Sequence, residues 1–178
     1  MTTWLAFLRA INLGPTRKFP KDDIRRVVEG AGFGAVETHI NTGNVRFDTG
    51  MRSRPRVEHK LEAAFLADRG FDVPTVSFTA AEFARVTAGA AELSAEHPGL
   101  VRHYVYLMKD ELTAERAAEV EALTSDVGSM VVRGRAAHAL MGEGYQGGQV
   151  DPLGAAPLLG VATNRNVNVV TAIAAKWC

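Results

Sequence analysis

Thr38-His39-Ile40-Asn41-Thr42-Gly43-Asn44-Val45-Arg46-Phe47 reads as two short strands around a tight turn. Gly43 can take a positive φ without steric cost, and the flanking asparagines favour turns. Residues 36–40 and 44–47 are therefore the arms of a hairpin. Upstream of it, Trp4-Leu5-Ala6-Phe7-Leu8 is apolar at every position, the pattern of a strand covered on both faces. That run breaks at Arg9-Ala10-Ile11-Asn12-Leu13-Gly14-Pro15. A helix then starts near Pro20, with Asp22 and Asp23 in its first turn and Ile24, Val27, Val28 and Ala31 as its stripe. Gly30, Gly32 and Gly34 stop it.

Downstream of the hairpin, residues 56–69 predict a second helix, with Val57, Leu61, Ala64 and Phe65 on one face and Gly70 at its end. Glu58 and Glu62 lie one turn apart on it and read as a solvated face. A strand follows over residues 73–78. Thr79 and Glu82 form a capping box, with Phe78 and Phe83 as its hydrophobic staple, and the helix they start is expected to reach about Thr87. Residues 89–99, ending in His97-Pro98-Gly99, read as a boundary between halves 1–90 and 100–178.

The second half repeats the plan. Residues 103–108 are a mostly apolar strand, and Thr113 caps a helix to about Leu123. Residues 127–132 and 136–141 form a hairpin around Arg133-Gly134-Arg135, and residues 142–150 are a glycine-rich loop. Residues 152–159 and 166–176 are expected helices. The fold class is α+β: two ferredoxin-like strand-helix-strand-strand-helix-strand halves, with mixed or antiparallel sheets and helices on one face of each. The bare faces of two such sheets could cover each other.

The 178 residues carry 20 Lys+Arg and 20 Asp+Glu, a formal net charge of zero. This gives no global pull on nucleic acid or an anionic membrane. The first 60 residues hold 11 basic and 6 acidic side chains, net +5, so nucleic-acid binding through this segment remains an alternative that the overall charge weighs against. The single cysteine, Cys178, rules out an intramolecular disulfide and suits a reducing, cytoplasmic setting. No signal peptide or membrane span is read.

Three polar stretches are candidates for a site: Arg9 with Asn12, Asn41 with Asn44, and Thr163-Asn164-Arg165-Asn166-Val167-Asn168. The last precedes a helix, whose free N–H groups and positive end suit an anion, with Arg165 adding a fork of donors. The same residues also serve structure: Asn166 or Asn168 as a helix cap, Asn41 and Asn44 as turn formers, Arg9 as an ion-pair partner. The five histidines have no ligand-like spacing, so no metal and no cofactor is expected. Tyr104 and Tyr106 share a strand face that RNA bases could stack on, but without basic neighbours they read as core.

Arg9-Ala10-Ile11-Asn12, the hairpin run Thr38 to Phe47, and Ala162-Thr163-Asn164-Arg165-Asn166-Val167-Asn168 together resemble the motifs of the domain of unknown function 1697 family of small bacterial proteins, in order and spacing over nearly the whole chain. The resemblance implies a two-part α+β fold of ferredoxin-like halves and carries no activity with it. Ala10 stands in place of the family's glycine, Thr42 in place of serine, Val167 in place of tryptophan and Val169 in place of threonine. Gln146-Gly147-Gly148-Gln149 follows Gly144-Tyr145 where relatives have Arg-Ser-Lys.

The function expected from these features is binding of a small anionic or polar ligand by Arg9, Asn12, Asn41, Asn44, Arg165, Asn166 and Asn168. An enzyme of a specialised tailoring reaction in the same pocket is the alternative, for which His39, His138 and Asp48 are the nearest bases. Self-association through an open sheet face, giving a homo-oligomer, is a further expectation.

Overall fold

The computed structural model describes all 178 residues. They form two compact units: Met1–Phe83 with Trp177–Cys178, and Ala84–Lys176. The class is α+β with two sheets whose strand pairs are all antiparallel.

The first unit runs β1 (Thr2–Leu8), α1 (Lys21–Gly30), β2 (Gly34–His39), β3 (Asn44–Thr49), α2 (Arg54–Arg69) and β4 (Thr75–Thr79), in the sheet order β2-β3-β1-β4. Strand β1 is central because its side chains are apolar on both faces. Trp4, Ala6 and Leu8 join Ile24, Val28, Val57, Leu61 and Phe65 in the core between sheet and helices. Leu5 and Phe7 are buried on the opposite face, where Phe7 stacks near Phe83 at 5.0 Å between ring centroids. Helix α2 ends as its sequence dictates, with Gly70 at φ +75° and its N–H donating to Leu66 O.

Strand β4 is an edge strand whose outer N–H groups would be open to solvent or to another chain. Carboxylates close them in sequence. Thr75 N–H donates to Glu62 Oε1 at 2.9 Å, Ser77 N–H to Glu58 Oε1 at 2.8 Å, and Thr79 N–H to Glu82 Oε2 at 2.7 Å. The match is geometric: one helical turn, i to i+4, rises about 6 Å, and two strand residues span about 6.6 Å. Glu58 and Glu62 are therefore not the solvated face that their helical spacing suggests. Glu58 is 2% exposed and also accepts the Ser77 hydroxyl at 2.9 Å.

Helix α3 (Ala80–Glu96) starts at the expected capping box, with Glu82 N–H donating to Thr79 Oγ1 at 3.2 Å. It does not stop near Thr87. Gly89 costs about 1 kcal/mol against alanine, but the surrounding run of alanines carries the helix through. The rest of the second unit is β5 (Arg102–Met108), α4 (Ala114–Glu121), β6 (Thr124–Ser125), β7 (Gly128–Arg133), β8 (Ala136–Met141), β9 (Ala162–Asn166) and α5 (Val167–Trp177), whose last residue belongs to the first unit. Its sheet order is β6-β7-β8-β5-β9. Strands β7-β8-β5-β9 repeat the order of β2-β3-β1-β4.

Two expectations fail here. Residues 152–159 hold only a single 3-10 turn, Ala156–Leu158, instead of a helix. Asp151 organises this segment, accepting Ala155 N–H and Ala156 N–H at 3.0 Å each and the Tyr106 hydroxyl at 2.8 Å. Asn166, expected as the first residue of the last helix, instead ends strand β9, paired with β5 from Met108↔Ala162 to Tyr104↔Asn166. Its sequence does not read as a strand because the two buried positions, Thr163 and Arg165, are themselves polar.

Candidate functional site

In the first unit, the polar residues singled out by sequence gather at one end of the sheet. The chain leaves β1 through residues in the left-handed region, Ala10 at φ +57° and Asn12 at φ +55°. Asn12 holds the loop from its centre. Its Nδ2 donates to Phe19 O at 2.8 Å and to Asn41 O at 2.9 Å, and its Oδ1 accepts Phe19 N–H at 2.8 Å. Asn41 Oδ1 accepts Lys21 N–H at 3.3 Å, at the start of α1. Asn44 is 1% exposed and donates to His39 O at 3.0 Å and Thr42 Oγ1 at 2.9 Å. Gly43 sits at φ +77°, its carbonyl accepting Leu8 N–H. Structure thus brings the Arg9–Asn12 and Asn41–Asn44 motifs together, and the three asparagine side chains bind main chain and turn there. The Arg9 side chain is exposed.

Arg165, Asn166 and Asn168 lie in the second unit. Arg165, on β9, is 8% exposed and donates to Thr163 Oγ1 and Asn164 O, both at 2.8 Å. Burial lowers its pKa to about 10, which leaves it charged at neutral pH. Asn166 Oδ1 accepts Asn168 N–H at 2.9 Å and so caps α5.

Both asparagines also line a cleft of about 310 Å³. Its other walls are Ser94, the turn of residues 97–101, Arg102, His103 and Val167. A broader depression of about 720 Å³, bounded by Thr124, Ser129 and Glu143 among others, shares residues 97–100 with it.

One wall of the smaller cleft continues inward as a chain of polar side chains. Ser94 Oγ, on α3, lies 2.9 Å from His103 Nδ1, and His103 Nε2 lies 2.9 Å from His138 Nδ1. His103 faces its partner because β5 and β8 are adjacent and antiparallel, with His103 opposite Leu140 and Val105 opposite His138. The two imidazoles are 3% and 1% exposed. Burial, reinforced by the charge of His97, holds the His103 pKa down at about 4; burial, with His103 and Arg133 adding to it, holds that of His138 at about 3. Both rings are neutral at pH 7. Two proton orders satisfy the chain: Ser94 O–H to His103 and His103 Nε2–H to His138, or the reverse.

Sequence reasoning passed over Ser94 and His103. Ser94 fell in the presumed boundary, and His103 and His138 are 35 residues apart, a separation that only the strand register turns into contact. His39, the other histidine weighed as a base, lies in the first unit with its ring 6.1 Å from that of Trp177. Asp48 pairs with Arg46 at 3.0 Å. Tyr106 is buried, with burial and the Asp151 carboxylate raising its pKa. No three His, Cys, Asp or Glu side chains are grouped so as to hold a metal ion, and no helix is long and apolar enough to cross a membrane.

Residues 1–138 match the family model described as "Protein of unknown function (DUF1697)". The chain belongs to this family. The match includes the Arg9–Asn12 and hairpin motifs, Ser94, His103 and His138, and stops before β9. A solved structure described as that of a conserved bacterial protein from Streptococcus pneumoniae is similar to this DUF1697 chain, with a TM-score of 0.74 at 20% identity, covering 99% of this chain and 98% of the other. That likeness extends the shared fold past residue 138 to the whole molecule. No curated protein sequence matches.

Proposed function

We propose that the second unit binds a small polar or anionic ligand in the cleft at the start of α5. The observation that carries this reading is the meeting of Asn166 and Asn168 with Arg102, His97 and His103 around one cavity. Its volume is at the small end of the range for ligand sites, about 300 to 1,000 Å³. Arg102 supplies charge, the asparagine amides supply donors and acceptors, and the first turn of α5 supplies partial positive charge. Arg165, one residue before the cap, adds a buried cation to the same strand end. Asn12, Asn41 and Asn44 hold the loops of the first unit, apart from this cleft's lining, and Arg9 is the exposed cation there.

The test is calorimetric titration of the full chain with inorganic phosphate, acetate and a sugar phosphate. Saturable binding of at least one is expected, weakened about tenfold by Arg102→Ala, the loss of one charge-assisted contact. Absence of binding across the three, or binding untouched by Arg102→Ala and Asn168→Ala, would remove the reading.

The nucleic-acid alternative gains little support. Several cations of the basic segment are held by neighbouring carboxylates: Arg25 by Glu29, Arg26 by Asp68, Arg46 by Asp48. The enzyme alternative is favoured by one observation, the serine-histidine-histidine chain.

A further inference from the structure

We propose that Ser94 is the nucleophile of an acyl-transfer site, its hydroxyl attacking the carbonyl of a small carboxylic ester in the cleft while His103 takes the proton and His138 holds His103 in the tautomer that can do so. The proposal rests on the cleft being a ligand site and names the substrate class.

The geometry supplies each part. Ser94 is half-buried at the cleft wall, so its hydroxyl is reachable. At 2.9 Å, His103 Nδ1 is placed to accept its proton. His138 Nδ1, 2.9 Å from His103 Nε2, accepts the Nε2–H and leaves Nδ1 free of a proton. The Asn168 side-chain amide lines the same cleft and offers an N–H donor to an oxyanion. Packing alone does not call for two buried imidazoles, since apolar side chains would fill β5 and β8 without the desolvation cost. Burial also keeps both rings neutral at pH 7, with His103 in its base form.

The step balances without a cofactor. Ser94 Oγ bonds to the carbonyl carbon as its proton moves to His103 Nδ1. The intermediate collapses, the ester's alcohol leaves, and that alcohol takes the proton from His103. Water then attacks the acyl-serine, giving its proton to His103, and as that intermediate collapses His103 returns the proton to Ser94 Oγ. The products are a carboxylic acid and the free serine. His138 touches no reacting atom and is a positioning residue.

The test is phosphonylation of the full chain by a fluorophosphonate, followed by intact mass and peptide mapping. The reagent forms an Oγ–P bond at an activated serine and expels fluoride. A single adduct on Ser94 is expected, absent in Ser94→Ala and formed about 100-fold more slowly in His103→Asn. His138→Leu should slow labelling about tenfold or more, whereas His138→Asn, whose Oδ1 replaces the acceptor at Nδ1, should restore most of the rate. A merely structural His138 would not separate those two variants when both are folded by circular dichroism. No adduct on Ser94 in the wild type, or one formed as fast in folded His103→Asn, overturns the proposal. Phosphate binding that Arg102→Ala abolishes, in a protein that never labels, leaves the binding reading standing and removes the nucleophile. Labelling at Ser94 without binding or protection by phosphate or acetate supports the nucleophile and removes the anion.

Discussion

Replacing Glu58 by alanine should destabilise the first unit more than any other single change on the outer edge of β4. The carboxylate accepts two hydrogen bonds from Ser77, its N–H at 2.8 Å and its hydroxyl at 2.9 Å, and both residues are almost wholly buried. A hydrogen bond to a charged group contributes about 1.5 to 3 kcal/mol, and a buried donor left unpaired costs about 1 to 3 kcal/mol. Against this stands the desolvation cost of burying the carboxylate, which the variant no longer bears. The net loss should be about 3 kcal/mol, or about 6 to 12 °C in the unfolding midpoint for a chain of this size. Glu62→Ala is the internal comparison. Glu62 accepts Thr75 N–H and is half-exposed, so water can replace the carboxylate there and the loss should be about 1 kcal/mol. Both tryptophans, Trp4 and Trp177, belong to the first unit, so fluorescence in a urea titration reports the unit concerned. If Glu58→Ala and Glu62→Ala differ from the wild type by less than about 0.5 kcal/mol, the edge is not held by these carboxylates and the reasoning fails.

The hairpin turn gives a second expectation. A Cβ at Gly43 would lie 2.8 Å from Leu8 Cβ and 2.9 Å from Ile11 Cδ1, at a backbone φ of +77°, so Gly43→Ala should cost about 2 to 3 kcal/mol in the same urea titration. Ala10 occupies the left-handed region at φ +57°, and Ala10→Gly should raise stability by about 0.5 to 1 kcal/mol; an unchanged or lower midpoint would count against strain at that position. Acid should weaken the second unit through its histidine pair. The folded pKa values, about 4 and 3, lie below the unfolded value of 6.5, so the unfolded chain binds protons first, and stability is complete above pH 6.5 and falls as pH drops toward 4. The double variant His103→Asn/His138→Asn should flatten that decline by about 6 kcal/mol between pH 7 and 4, about 3 from each ring, measured as the difference between denaturation profiles; parallel profiles would refute it.

Wherever local chemistry decides, the chain could be read directly. The β1 run, the Thr42-Gly43 turn, the Thr79–Glu82 box with its Phe78/Phe83 staple, and the Gly70 stop all stand where their residues predict. Each depends on neighbours within about five positions, so the information is contiguous. Reading failed where a residue's partner is distant. Gly89 looked like a break and is mid-helix; Asn166 was expected to open the last helix and instead ends a strand completed by pairing with β5.

The sequence alone was enough for the α+β class, the family motifs and a cap at Asn166 or Asn168, because periodicity, turn chemistry and capping act over short range. Tertiary structure alone decided that Glu58 and Glu62 seal a strand edge, since a helical turn had to be set beside a strand for their spacing to matter. It also decided that Ser94, His103 and His138 form one line of 2.9 Å contacts. They come from a helix and two strands, and antiparallel register, which no local rule encodes, sets them side by side.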